Sequence, residues 1–125
     1  MSLSGKTVQA PRTILVVDDD WNCRAILKSV VEMSGNRVLE ACSGAKAVRL
    51  VQDPKLTIDA AILDFNMPGL NGVDTLAALR AQRPGLRAIL CSASPESECL
   101  GGKVVDALVF LQKPIDLRRL EAALQ

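Results

Sequence analysis

Short runs of apolar, mostly aliphatic residues recur along the chain, and each run ends in polar or turn-forming residues. A continuous apolar run of this length is typical of a strand buried on both faces of a parallel sheet. The run that ends in Asp64 is followed by Met67-Pro68-Gly69, which turns the chain sharply. We predict five strands in all, at Thr13–Val17, Arg37–Ala41, Asp59–Asp64, Arg87–Cys91 and Ala107–Leu111.

The segments between these strands have helical periodicity. In the first of them, Ile26 and Leu27 belong to an apolar stripe that follows the N-cap residue Asp20. The fourth helix should be the weakest, because Gly101-Gly102 costs roughly 1 kcal/mol per glycine. The predicted helices begin near Asp20, Ser43, Gly72, Ser94 and Asp116.

Strands that alternate with helices imply a parallel sheet with helices on both faces. We therefore predict an α/β fold, a doubly wound five-stranded parallel sheet of the flavodoxin-like type with strand order 2-1-3-4-5. Residues 1–12 are expected to form a disordered or cloning-derived tail, and residues 13–125 a single domain. The final helix runs up to Gln125, which is compatible with a piece excised from a longer protein.

Composition excludes several classes of function. The net charge of +1 leaves no electrostatic footprint for nucleic acid or an anionic membrane, and no apolar run approaches the roughly 20 residues that span a bilayer. The four cysteines lack the spacing and the histidine partners of a zinc site, so we expect reduced thiols in a cytoplasmic protein. The absence of histidine excludes histidine-based catalysis within this chain.

Carboxylates stand at the ends of two strands that the predicted order makes neighbours. Asp18 and Asp19 follow the first strand, and Asp64 ends the third. Carboxylates that repel one another persist as a cluster only when a positive charge or a proton relieves them. An open site of oxygen ligands suits Mg²⁺, although the same aspartates could also serve merely as helix caps and turn residues.

Two further polar residues should reach the same edge of the sheet. Ser92 ends the fourth strand and Lys113 follows the fifth. Either residue alone would be an ordinary turn or loop residue. A divalent cation, a lysine and a hydroxyl at one place, however, form a set suited to stabilising a phosphoryl group.

With these motifs in place, the chain resembles the receiver domains of two-component response regulators, and in particular the chemotaxis-regulator type. The segments that carry the resemblance are ILVVDDD, LDFNMPGLNG, CSAS and FLQKP, each at the expected strand end and in the expected order. The resemblance extends from Thr13 to Leu124. It implies a phosphoprotein that catalyses only its own phosphorylation and slow dephosphorylation, rather than an enzyme acting on other substrates.

The resemblance also implies roles for individual residues. Asp64 would accept a phosphoryl group from the phosphohistidine of a histidine kinase or a histidine phosphotransfer protein. Asp19 would bind Mg²⁺ directly, Asp18 would bind it through water, and Asp64 and the backbone carbonyl of Asn66 would complete the metal site. Lys113 would contact the phosphoryl oxygens.

Two residues would report the phosphorylation to the surface. The Ser92 hydroxyl would move to meet the phosphoryl group, and the Phe110 ring would swing inward in response. The face formed by the fourth helix, the fifth strand and the fifth helix would then change shape for an output domain or a downstream protein. A phosphorylation-dependent dimer is compatible with the resemblance, which implies no direct binding to nucleic acid or membrane.

Three other readings of the same residues compete with this one. A Mg²⁺-dependent phosphohydrolase would use the same aspartate nucleophile, but such enzymes usually carry a second carboxylate where this chain has Asn66. A pseudo-receiver would keep the fold as a binding module without phosphorylation. A phosphate-cradling ligand site after the first strand is disfavoured, because three aspartates there would repel the anion.

Overall fold

The computed structural model describes residues 10–100, 105–107 and 109–125. Strands and helices alternate along the whole of this part of the chain, as the apolar pattern predicts. The strands are β1 (Thr13–Val17), β2 (Arg37–Ala41), β3 (Ala60–Asp64), β4 (Arg87–Ser92) and β5 (Val109–Gln112). The helices are α1 (Trp21–Met33), α2 (Gly44–Val51), α3 (Gly72–Gln82), α4 (Glu96–Leu100) and α5 (Leu117–Leu124).

The five strands form one parallel sheet in the order β2-β1-β3-β4-β5, which confirms the predicted fold. The register aligns the carboxyl ends of the central strands. Val17 of β1 lies beside Leu63 of β3, and Asp64 lies beside Cys91 of β4. The residues that follow these strand ends are therefore brought to a single edge of the sheet.

Alternate residues of each strand point into two separate hydrophobic cores. On β3, Ala61 and Leu63 face the core beneath α2 and α3, whereas Ala60 and Ile62 face the core beneath α1 and α5. Full burial of a leucine or isoleucine side chain contributes about 1.5–3 kcal/mol. Because the central strands are buried on both sides, their ends are held rigidly.

The four longer helices, α1, α2, α3 and α5, each begin with a side-chain cap. The carboxylate of Asp20 accepts hydrogen bonds from the backbone of Asn22 and Cys23 at the start of α1, and Ser43 caps α2, as predicted. Caps of this kind typically contribute about 1 kcal/mol each. The remaining two caps are Asn71 for α3 and Asp116 for α5.

The structure differs from the sequence-based prediction in details. Ile26 is 54% exposed and therefore lies outside the buried stripe of α1, which consists of Leu27 and Val31 with Val30 packed beside them. A helix that packs on a sheet buries only a narrow stripe of its surface, and the stripe predicted from the sequence was wider than the one observed. The fifth strand begins at Val109 and not at Ala107. Residues 1–9 and the pair Gly101-Gly102 lie outside the described residues.

Helices α2 and α3 approach closely where α2 begins. A Cβ atom on Gly44 would overlap Thr75 Oγ1 and would lie 2.9 Å from Leu70 Cβ. The Thr75 hydroxyl is fully buried and has no hydrogen-bond partner in the described part of the chain. The close contact therefore requires a residue without a side chain at position 44.

We predict that Gly44→Ala lowers the free energy of unfolding by about 1–3 kcal/mol, because the added methyl group overpacks this contact. Chemical denaturation measures the effect. Thr75→Ala in the same chain removes the overlapping oxygen and should restore part of the loss. If Gly44→Ala leaves the stability unchanged, the close approach of α2 and α3 is wrong.

Candidate functional site

Three carboxylates meet at the carboxyl edge of the sheet. Asp18 and Asp19 directly follow β1, and Asp64 is the last residue of the neighbouring β3. Each of the three offers an oxygen atom, and these oxygens all lie within 4.8 Å of one another. Asp18 and Asp64 are buried, whereas Asp19 is exposed. The sequence-predicted acidic cluster is therefore assembled, with one side open to solvent.

Lys113 provides the positive charge at this cluster. Its Nζ lies 3.3 Å from Asp18 Oδ2 and 3.5 Å from Asp64 Oδ1. The backbone N–H of Lys113 donates to the Ser92 carbonyl at 2.6 Å, which ties the end of β5 to the end of β4. The backbone of Lys113 is thus fixed to the sheet while its ammonium group contacts two carboxylates.

Burial dominates the electrostatics of Asp64. It raises the pKa of this carboxyl to about 6, with the charge of Asp18 adding to the effect and Lys113 opposing it. Burial by itself would lower the pKa of Lys113, but Asp18 and Asp64 outweigh it and raise that pKa. Lys113 is therefore ionised at neutral pH, and a single lysine only partly compensates the carboxylates.

Local hydrogen bonds hold Asp18 in position. Its Oδ1 accepts the backbone N–H of Asp20 at 2.9 Å, and its carbonyl accepts Nη1 of Arg24 at 2.8 Å. Asp20 in turn caps α1. The start of α1 and the first carboxylate of the cluster therefore form one hydrogen-bonded unit.

The backbone around Asp64 is fixed by close packing against α3. A Cβ atom on Gly72 would lie 2.8 Å from both the Asp64 carbonyl oxygen and Phe65 Cα, so glycine is required at this helix start. The Gly72 N–H donates to the Phe65 carbonyl at 2.9 Å, and the Phe65 N–H donates to the Cys91 carbonyl at 2.7 Å. These contacts fix the backbone at the end of β3 and so fix the position of the Asp64 Cα atom.

The Ser92 hydroxyl is fully buried, and none of its described hydrogen bonds runs to Asp64. It donates to Asn66 Oδ1 at 2.5 Å. It accepts the Ser94 N–H at 3.0 Å and lies 3.2 Å from the thiol sulfur of Cys99 in α4. Ser92 is thus at the predicted sheet edge, but its hydrogen bonds run to Asn66 and α4.

Two cysteines lie near the site although the sequence analysis, which expected all four cysteines to be reduced thiols, gave none of them a place there. Cys99 contacts Ser92, and the sulfur of Cys23 lies 3.8 Å from Lys113 Nζ. Burial raises the pKa of the Cys23 thiol, so the neutral form predominates at neutral pH. Neither residue follows a strand end, and this explains why the search for polar residues after strands did not find them.

Phe110 lies on β5 beside Leu90 of β4. Its ring is partly buried and packs against the core beneath α2 and α3.

No helix among the described residues is long and apolar enough to cross a membrane. At the site itself, Asp18, Asp19 and Asp64 could hold a metal ion. The predicted site residues therefore converge on one edge, with Phe110 below it in the sheet.

Comparison with known proteins agrees with this arrangement. A family model described as "Response regulator receiver domain" matches residues 14–125. The transcriptional regulatory protein CpxR of Escherichia coli K12 is 37% identical over 112 residues, which are 90% of this chain and 47% of CpxR. This chain therefore spans about half the length of that curated relative.

Solved structures are similar over nearly the whole chain. A response regulator receiver protein from Pseudomonas putida superposes with a TM-score of 0.80 at 28% identity, covering 94% of this chain and 98% of that one. The CheX-CheY-BeF3-Mg²⁺ complex from Borrelia burgdorferi contains a chain that superposes with a TM-score of 0.77 at 26% identity, covering 91% of this chain and 87% of that one. From its sequence match, sheet order and strand-end residues, the chain belongs to the receiver domain family of two-component response regulators.

Proposed function

We propose that Asp64 is the phosphoacceptor of this receiver domain and that the site binds Mg²⁺. The observation that carries the proposal is the position of Lys113, whose ammonium lies 3.3 Å from Asp18 and 3.5 Å from Asp64. This places a positive charge beside the carboxylate that would form the bond to phosphorus. A related chain was solved with BeF3 and Mg²⁺, which supports the same assignment here.

The donor in this proposal is the phosphohistidine of a histidine kinase or a phosphotransfer protein. A carboxylate oxygen of Asp64 attacks phosphorus, the P–N bond to the donor imidazole breaks, and the imidazole leaves with the bonding electron pair and takes up a proton. Asp64 must be ionised to attack, and its pKa of about 6 permits this at neutral pH. The chain itself contains no histidine, so the donor histidine belongs to a partner.

The residues of the cluster have separate tasks. Asp18, Asp19 and the backbone carbonyl of Asn66 would hold Mg²⁺ together with Asp64, and the ion would neutralise charge on the phosphoryl oxygens as they approach the carboxylates. Lys113 would bind a phosphoryl oxygen directly. Its hydrogen bond through the backbone to the end of β4 keeps the ammonium in place during the transfer.

Ser92 and Phe110 would carry the signal outward. Phosphorylation adds a charge of about −1.5 to −2 and three acceptor oxygens. The Ser92 hydroxyl, which now donates to Asn66, would turn to a phosphoryl oxygen, and the Phe110 ring would follow. The face of α4, β5 and α5 would then change shape for an output domain or a partner protein in the cytoplasm.

Incubation with acetyl phosphate and Mg²⁺ should add one phosphoryl group to the protein, because Asp64 is an ionised nucleophile beside a cation site. Intact-mass spectrometry measures the product. Asp64→Asn should remain unmodified, and excess chelator should abolish modification of the wild type. The matched control is Asp74→Asn, which replaces an exposed carboxylate of α3 and should react normally. Modification of the Asp64→Asn variant would contradict the assignment.

Replacement of Lys113 should slow the transfer without changing where it occurs. We expect Lys113→Met to reduce the rate of phosphorylation by roughly 10²-fold, because one preorganised positive donor to the phosphoryl oxygens is lost. Lys55→Met serves as the control, since Lys55 is exposed in the connection between α2 and β3. An unchanged rate in Lys113→Met would remove Lys113 from the proposed site.

The metal-free protein should become more stable at neutral pH when Asp64 is replaced by asparagine. The pKa of Asp64 is raised from 3.8 to about 6 in the folded protein, so the folded state binds this proton more tightly than the unfolded chain does. Its favourable contribution is present below about pH 4 and is lost as the pH rises through 6. Asp64→Asn should therefore gain about 1–2 kcal/mol at pH 8.

Denaturation in the presence of chelator, followed from pH 4 to pH 8, tests this prediction. The advantage of Asp64→Asn should shrink between pH 6 and pH 4. Asp74→Asn provides the reference for removal of an exposed carboxylate. A difference that does not vary with pH would show that Asp64 is not under electrostatic strain.

A further inference from the structure

The Ser92 hydroxyl has a complete set of hydrogen-bond partners in this structure. A serine hydroxyl has one proton to donate and two lone pairs that accept. The proton goes to Asn66 Oδ1, and the lone pairs face the Ser94 N–H and the Cys99 thiol. Since Ser92 is fully buried, water has no access to replace a partner that is lost.

These partners differ in how freely they could be rearranged. Ser94 lies two residues along the chain, so its N–H follows Ser92 closely. Cys99 lies in α4, five residues further on, and its sulfur is the only described side-chain contact from that helix to the hydroxyl. The sulfur also lies 3.8 Å from the Ser94 carbonyl, but its contact with Ser92 is the shorter one.

We propose that Cys99 is a positioning residue that holds the Ser92 hydroxyl in its resting orientation and so links α4 to the state of the phosphoacceptor site. This inference rests on the proposed function of Asp64 and adds a regulatory contact to it. While the thiol occupies one lone pair of Ser92, the hydroxyl proton is directed at Asn66. Donation to a phosphoryl oxygen requires the hydroxyl to leave Asn66 and Cys99.

The consequence is a competition between two arrangements of one buried hydroxyl. A phosphoryl group on Asp64 favours the arrangement that turns the proton toward the site, and the thiol of Cys99 favours the resting one. A bound group shifts such an equilibrium only by its differential contacts with the two states. Loss of the thiol should therefore make the phosphoryl-bound arrangement easier to reach.

The test measures the affinity for beryllofluoride, a phosphoryl analogue, in the presence of Mg²⁺. Trp21 is the single tryptophan, follows the acidic run and is 70% exposed, so its fluorescence offers a readout. Cys99→Ala should bind beryllofluoride about two- to five-fold more tightly than the wild type, which corresponds to one weak hydrogen bond. Cys99→Ser supplies a new donor and should return the affinity to the wild-type value or below it.

A double-mutant cycle separates this role from a general effect of the substitution. In a Ser92→Ala background the hydroxyl is absent, and Cys99→Ala should then leave the affinity unchanged, since their coupling runs through that hydroxyl. Cys42→Ala is the matched control, because Cys42 follows β2 and is separated from β4 by β1 and β3. Circular dichroism of each variant checks that it is folded.

The outcomes distinguish the two proposals. If the wild type binds no beryllofluoride and accepts no phosphoryl group, the proposed function itself fails, and the role of Cys99 fails with it. If the wild type binds but Cys99→Ala changes the affinity equally with and without the Ser92 hydroxyl, only the positioning role is overturned. The positioning role is supported if Cys99→Ala binds beryllofluoride more tightly only when Ser92 is present, and if Cys99→Ser does not bind it more tightly than the wild type.

Discussion

The site depends on the repulsion among carboxylates that the sheet forces together. Asp18 is completely buried and Asp64 nearly so, and their oxygens lie within 4.8 Å of each other and of Asp19. One lysine, at 3.3 and 3.5 Å, is the positive charge that opposes this repulsion. Burial raises the pKa of Asp64 to about 6, and the charge of Asp18 adds to this effect while Lys113 opposes it, so a single lysine compensates the cluster only in part. The site therefore has room in its charge balance for a further cation, which supports the proposed binding of Mg²⁺.

Such a cluster persists only on a rigid scaffold. The central strands are buried between two cores, and side-chain caps fix the helices that follow them. Gly72 lets the start of α3 approach the backbone of Asp64, where any side chain would collide. Each fully buried leucine or isoleucine side chain of the sheet contributes about 1.5–3 kcal/mol. The sum of these contributions holds the repelling carboxylates in place.

The hydroxyl of Ser92 belongs to a different network from that of the carboxylates. Lys113, Asp18 and Asp64 are joined by ion pairs, whereas Ser92 is joined to Asn66 and Cys99 by hydrogen bonds. Two backbone hydrogen bonds link the networks: the Lys113 N–H donates to the Ser92 carbonyl at 2.6 Å, and the Asn66 N–H donates to Asp64 Oδ1 at 3.4 Å. In the proposed mechanism, a phosphoryl group on Asp64 would contact the Ser92 hydroxyl directly, and Cys99 of α4 would then lose a partner.

The sequence alone determined the alternation of strands and helices, the order of the sheet through the doubly wound pattern, and the edge of the sheet at which five polar residues lie: Asp18, Asp19, Asp64, Ser92 and Lys113. These features depend on local periodicity and on the rule that parallel strands end at the same edge, and both can be read along the chain. The tertiary structure decided the rest. Which face of α1 is buried, how closely Gly44 and Gly72 approach α3 and β3, and the contact of Cys99 with Ser92 depend on distances between elements. Because no local pattern in the chain encodes those distances, only the packed fold could show them.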